Sequence, residues 1–188
     1  MPFFVVEQPT VEPVSLNDLR AQCRIDEDFN EEDELLKSYI IAAREYCEEF
    51  TGRHYAEKTM GYLGKFPAGQ ASLELLPNTN EVLFIEYLDA AGLNTSIPTE
   101  DYISDLISIC AAVVPLKDWP IAKANHPQPV TVHFECGGGE CRPVVKQSIL
   151  LLASHWYQNR EGSVIGAPSK EAEYSVHSLL AGQRVVNV

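Results

Sequence analysis

The chain has 188 residues, 45% of them hydrophobic, so it can bury a domain-sized core without disulfide or metal staples. Its 27 acidic against 14 basic side chains give a net charge of -13, which argues against a general nucleic-acid binder, because phosphate affinity comes from clustered Lys and Arg and no basic run occurs. Five cysteines, an odd number at scattered spacing, exclude a complete disulfide framework and fit a reducing compartment.

Residues 1–14, MPFFVVEQPTVEPV, carry three prolines and predict an extended arm lying over a surface, that of a neighbouring subunit included, rather than a core strand. The arm lacks a basic n-region, and no stretch approaches the roughly twenty apolar residues of a membrane span, so the sequence predicts a soluble chain without a signal peptide. Ser15 with Asp18 has the form of a capping box ahead of a short helix, Leu16 to about Cys23.

Residues 26–37, DEDFNEEDELLK, allow two readings. Asp26, Asp28 and Asn30 occupy the first three ligand positions of an EF-hand loop. Glu31 stands where that loop needs glycine, however, and Lys37 where it needs a bidentate glutamate, so the calcium reading fails at two required positions. The better reading is a helix start with Asn30 as N-cap and Glu31 to Glu34 at the positive end of the macrodipole. Leu36, Ile40, Ala43, Cys47 and Phe50 then recur at helical spacing until Gly52, which predicts a helix over 31–51.

From about Tyr55 to Cys136 the pattern changes to short β-rich runs: SLELL (72–76), EVLFIEYLD (81–89), DYIS (101–104), AAVVP (111–115) and VTVHFEC (130–136). They predict a small antiparallel sheet, with DAAG (89–92) as a hairpin turn and a proline-spaced loop after Trp119. Helical patterning returns at Pro143, a good first helical residue, and continues to Gly162 with an apolar face of Val145, Ile149, Leu152 and Trp156. Gly162 and Gly166 suggest a hinge before a last helix around Tyr174 to Ala181. The predicted class is α+β, mainly helical: two N-terminal and two C-terminal helices packed as a bundle (15–54 and 140–184), with the sheet inserted at 55–139.

No constellation announces an enzyme. His155 beside Trp156, with Cys47 or Ser154 as an imagined nucleophile, lacks the third group that a triad requires. His54, His126, His133 and His177 are too dispersed for metal-ligand spacing, and Cys136 with Cys141 has no second pair to complete a zinc site. GGGE (137–140) is followed by Cys141 and Arg142 rather than the Lys and Ser or Thr of a phosphate loop, so a strand-to-helix turn is expected. No cofactor is predicted.

RIDEDFNEEDELLKSYIIAAREYCEEFTGR, the ordered middle motifs YLDAAG, DYIS and KDWP, then QSILLLASHWYQNREG and VHSLLAGQR, resemble the head-tail connector proteins of long-tailed phages and prophages, over most of the span from Ser15 to Arg184. The resemblance implies a helical adaptor core, in a larger variant with a β insertion, and a structural virion protein without catalysis. It implies a ring, a dodecamer, assembled in the bacterial host cytoplasm beneath the portal protein and joined to the next connector, stopper or tail-completion protein, with DNA passing through the lumen unbound. Residues 1–54 hold thirteen acidic and five basic side chains, -8 of the total -13, a sign that suits passage of a duplex rather than its binding. The expected partner-facing residues are Trp156, Tyr157, Arg160, Leu179, Leu180 and Arg184. Two other classes compete: a small hydrolase or metal enzyme with a dispersed site, and a monomeric regulator that binds a host protein.

Overall fold

The structure, a computed structural model, describes residues 3–26, 28–108, 110–160 and 170–185. Its elements in chain order are β1 (Phe3–Glu7), α1 (Leu16–Cys23), α2 (Asp33–Thr51), β2 (Lys58–Gly64), β3 (Leu73–Glu74), β4 (Thr79–Leu88), β5 (Asn94–Ser96), β6 (Tyr102–Asp105), β7 (Ala112–Pro115), β8 (Val130–Cys136), α3 (Pro143–Gln158) and α4 (Lys170–Leu180). The class is α+β as expected. Among the described residues, however, eight strands stand beside four α-helices, so the mainly helical expectation is not borne out, and the strands form two antiparallel sheets rather than one small one. The chain divides into two compact units that interleave in sequence: Met1–Thr10 with Ala56–Gly137, and Val11–Tyr55 with Gly138–Val188.

In the helical unit, α1 starts at the predicted capping box: the Ser15 hydroxyl accepts the Asp18 N–H at 3.1 Å, and the Asp18 carboxylate accepts the Ser15 N–H at 3.0 Å. The start of α2 departs from expectation. Asn30 is not its cap; the Asn30 carbonyl accepts the Asp33 N–H, making a turn, and Glu32 occupies the cap position without capping through its side chain. The helix begins two residues late because the side chains of this turn are held by cations: Asp33 pairs with Arg20 and Glu32 with Arg160. Gly52 ends α2 at φ 70°, with its N–H on the Glu48 carbonyl at 2.8 Å. Leu19 of α1, Leu36 and Cys47 of α2, Ile149 and Leu152 of α3 and Leu180 of α4 lie in one buried core. Each such side chain contributes roughly 1.5–3 kcal/mol by leaving water. α4 starts before the expected Tyr174, at Lys170, while the hinge expected at Gly162 and Gly166 lies outside the described residues.

In the sheet unit, the five-stranded sheet has the order β1-β2-β8-β4-β5 and the three-stranded sheet β3-β7-β6. The central β8 alternates strictly: Val130, Val132, Phe134 and Cys136 are buried, while Thr131, His133 and Glu135 face the other way. β4 does not alternate. Bulges between Thr79 and Glu81 and between Val82 and Phe84 put its buried residues at Thr79, Val82 and Ile85, a spacing of three. The DAAG turn joins β4 to β5 as predicted; the Asp89 carboxylate accepts the Ala91 and Leu93 N–H groups, and Gly92 takes φ 86°.

The N-terminal segment is a second departure. Phe3–Glu7 forms an edge strand paired antiparallel with β2 of the same chain, rather than an arm free for a neighbour. Phe3 packs against Tyr62 and Phe134, so the short apolar run FFVV finds its partner within its own unit. Among the described residues, no helix is long and apolar enough to cross a membrane.

Candidate functional site

The residues expected to face partners fall into three settings on the helical unit. Tyr157 and Arg160, at the end of α3, converge on Glu32: the Tyr157 hydroxyl donates at 2.8 Å and an Arg160 guanidinium nitrogen at 2.6 Å. Hydrogen bonds from Arg160 and then Tyr157 hold the Glu32 carboxyl below the usual carboxylate range, and the same bond to Glu32 raises the Tyr157 hydroxyl. These side chains therefore lock the ends of two helices together at the surface.

Trp156 and Arg184 lie at opposite ends of an aromatic row. Trp156 meets Tyr46 edge-on at 6.4 Å, and Tyr46 shares a 2.8 Å hydrogen bond with His177. His177 stacks on Phe50 at 4.3 Å, and the Arg184 guanidinium lies 5.6 Å from the Phe50 ring centre. The segment after α4 is fixed beside this row, since Val185 N–H donates to the Thr51 carbonyl and Arg53 Nε to the Gln183 carbonyl. Leu179 is 40% exposed. Leu180 corrects the expectation: it is fully buried among α2 and α3 side chains and serves the core, because helical periodicity turns it inward one step after Leu179. Sequence reading missed this row: Phe50 counted only in the apolar stripe of α2, and His177 only among histidines too dispersed to hold a metal.

Beneath this surface Arg44, 1% exposed, holds Glu12 at 2.8 Å and Glu48 at 2.9 Å. The other Glu48 oxygen accepts the Tyr55 N–H at 2.8 Å. This buried network ties the segment preceding α1 and the chain leaving α2 to the middle of that helix.

The imagined triad does not assemble. The Ser154 hydroxyl donates to the Leu151 carbonyl at 3.1 Å, and His155 lies beside Asn159 on the last turn of α3. Cys47 is fully buried, and burial is the chief cause pushing its thiol up to about 12, which suppresses the thiolate a nucleophile needs. Gly137, Gly138 and Gly139 all take φ between 74° and 81° in the connection from β8 to α3, as a turn rather than a phosphate loop. Among the described residues, no group of three or more His, Cys, Asp or Glu is placed to hold a metal ion.

The sheet unit carries a cleft of about 630 Å³ whose lining includes Lys65, Phe66, Trp119, Pro120, Ile121 and Lys123. Its floor is aromatic: Phe66 stacks on Trp119 at 4.6 Å, and the Trp119 indole N–H donates to the Ala71 carbonyl at 2.9 Å.

The sequence profile of the phage gp6-like head-tail connector family matches residues 13–82. The resemblance read from the motifs thus has an independent counterpart. Over this segment the chain is similar to that family. That segment runs from the residue before Val14 through α1 and α2 into β4, crossing from the helical unit into the sheet unit. No curated protein matches the chain. Solved structures share its fold, among them three chains of gene transfer agent particles. A chain from the neck of an empty gene transfer agent (GTA) particle, computed with C6 symmetry, superposes with a TM-score of 0.79 at 22% identity, covering 100% of this chain and 97% of that one. A chain from the virion of a native GTA particle gives 0.80 at 19% identity with the same coverage. A chain from the neck of a native GTA particle computed with C12 symmetry gives 0.68 at 20%, covering 97% of each. The likeness of fold to these chains covers both units.

Proposed function

We propose that the protein is a structural subunit of a head-tail connector, built into the neck of a virion or virion-like particle. The observation that carries this reading is the coincidence of the connector-family match over residues 13–82 with a whole-chain fold like that of GTA particle chains, including two neck chains. In this reading identical copies form a ring, a dodecamer, beneath the portal protein and in contact with the next connector, stopper or tail-completion protein. The ring is assembled in the host cytoplasm and performs no catalysis.

The charge supports passage rather than capture of DNA. A net charge of -13 repels phosphates, so a lumen lined by such subunits lets a duplex slide. The four helices, proposed to act as one bundle, offer Trp156, Leu179 and Arg184 as partner-facing positions. Tyr157 and Arg160 shape that surface through Glu32.

The test is the mass of the purified protein by light scattering, alone and with the cognate portal, with negative-stain microscopy of any large species. Rings, alone or on the portal, are the expected result. A monomer that ignores the portal at every concentration overturns the reading.

A further inference from the structure

The sheet unit, residues 1–10 and 56–137, contains eleven acidic side chains, four lysines and no arginine. Lys58 is buried. The other three, Lys65, Lys117 and Lys123, all line the Trp119 cleft or the smaller cleft beside it, which shares Asp118, Trp119 and Pro120. Lys117 pairs with Asp101 at 3.4 Å, whereas Lys65 and Lys123 have no carboxylate partner among the described residues. Every exposed lysine of an acidic unit thus lies at one of two clefts that share Trp119, and in the larger one Ile121 is 84% exposed among the lining residues and Asp118 is the single carboxylate. Such a slot fits an acidic segment with an aromatic side chain at its centre.

The chain itself has that segment. Before α2, Phe29 is exposed, and its N–H donates to the Asp26 carbonyl at 3.1 Å. Glu32, Asp33 and Glu34 are engaged by Arg160, Arg20 and Lys37. Asp26, Asp28 and Glu31 are exposed and have no cationic partner among the described residues.

We infer that the turn bearing Asp28, Phe29 and Glu31 of one copy docks in the Trp119 cleft of the next, with Phe29 against the Phe66–Trp119 stack and the carboxylates toward Lys65 and Lys123. Two different patches of identical chains then meet head to tail, an arrangement that closes into a ring when its rotation allows. The inference rests on the proposed ring only in taking a neighbouring copy as the occupant.

The experiment uses two full-length variants, K65E/K123E and D28K/E31K, each checked for folding by circular dichroism and examined by light scattering and with portal. Each alone should lose the assembled species, and mixing the two should restore it, because each reversed cleft then meets a reversed turn. In parallel, a peptide of residues 24–36 is titrated into D28K/E31K, whose own turn is disabled, with tryptophan fluorescence as the readout. It should bind, a Phe29→Ser peptide should not, and a chain that also carries K65E/K123E should bind neither. Assembly unaffected by both variants, or lost without rescue on mixing, together with a peptide that does not bind, overturns this contact while leaving the ring standing. A wild type that never assembles but whose cleft takes the peptide overturns the ring and keeps the contact.

Discussion

The ring of Phe4 lies over Gly61 on the neighbouring strand, so close that a Cβ at Gly61 would sit 2.2 Å from Phe4 Cζ. The aromatic ring covers backbone that glycine leaves bare, which compensates a weak residue in β2 and fastens the edge strand β1. Beside it, His133 meets Phe4 edge-on at 6.3 Å and stacks on Phe84 at 4.4 Å. A Gly61→Ala change should therefore push Phe4 aside and loosen β1, at a cost of about 1–3 kcal/mol. Hydrogen exchange of Phe3 to Glu7 amides reads this directly, and adding Phe4→Ala should relieve most of the clash. Unchanged exchange in Gly61→Ala would show that Phe4 is not held there.

Arg44 is the buried hub of the helical unit, facing Glu12, Glu48 and, at 3.6 Å, Glu45. Arg44→Ala would leave Glu48, 6% exposed, without its strongest partner. Breaking a buried pair in this way costs roughly 3–5 kcal/mol. Urea unfolding should show the midpoint falling accordingly; a loss below about 1 kcal/mol, the range of an exposed pair, would contradict the buried network.

Glu32 supplies a pH dependence with a definite sign. Its folded carboxyl is held below the usual range by Arg160 and Tyr157, so its contribution is complete above the unfolded value of about 4.3 and is lost as pH falls through the lower folded value. The difference in melting temperature between wild type and Glu32→Gln should be constant above about pH 6 and shrink below about pH 4. A difference that does not change with pH would remove the ion pair from the account.

Cys47 should resist alkylation in the native protein, because its thiol is buried and pushed up to about 12. Mass spectrometry after iodoacetamide treatment at neutral pH should find Cys47 modified only once the protein is unfolded, while the half-buried Cys110 reacts earlier. Rapid native labelling of Cys47 would mean that the helical core opens readily.

What the sequence by itself determined is local. The capping box of Ser15 and Asp18, the stop at Gly52, the start at Pro143 and the alternation of VTVHFEC each depend on residues within a few positions, and each lies where the pattern placed it. The similarity of residues 13–82 to the connector family was legible in the motifs for the same reason. Tertiary structure decided the rest. β2 was hidden by Gly61 and Gly64 and exists as a strand between β8 and β1. The apolar FFVV run became an edge strand only because β2 offered it an unpaired edge. Glu32, expected as an acid of the first turn of α2, is held instead by Tyr157 and Arg160, more than a hundred residues away in sequence, and the unpaired lysines met Trp119 only when separate loops converged. Periodicity records which face of an element avoids water, but it does not record which distant surface covers that face or which charge answers it.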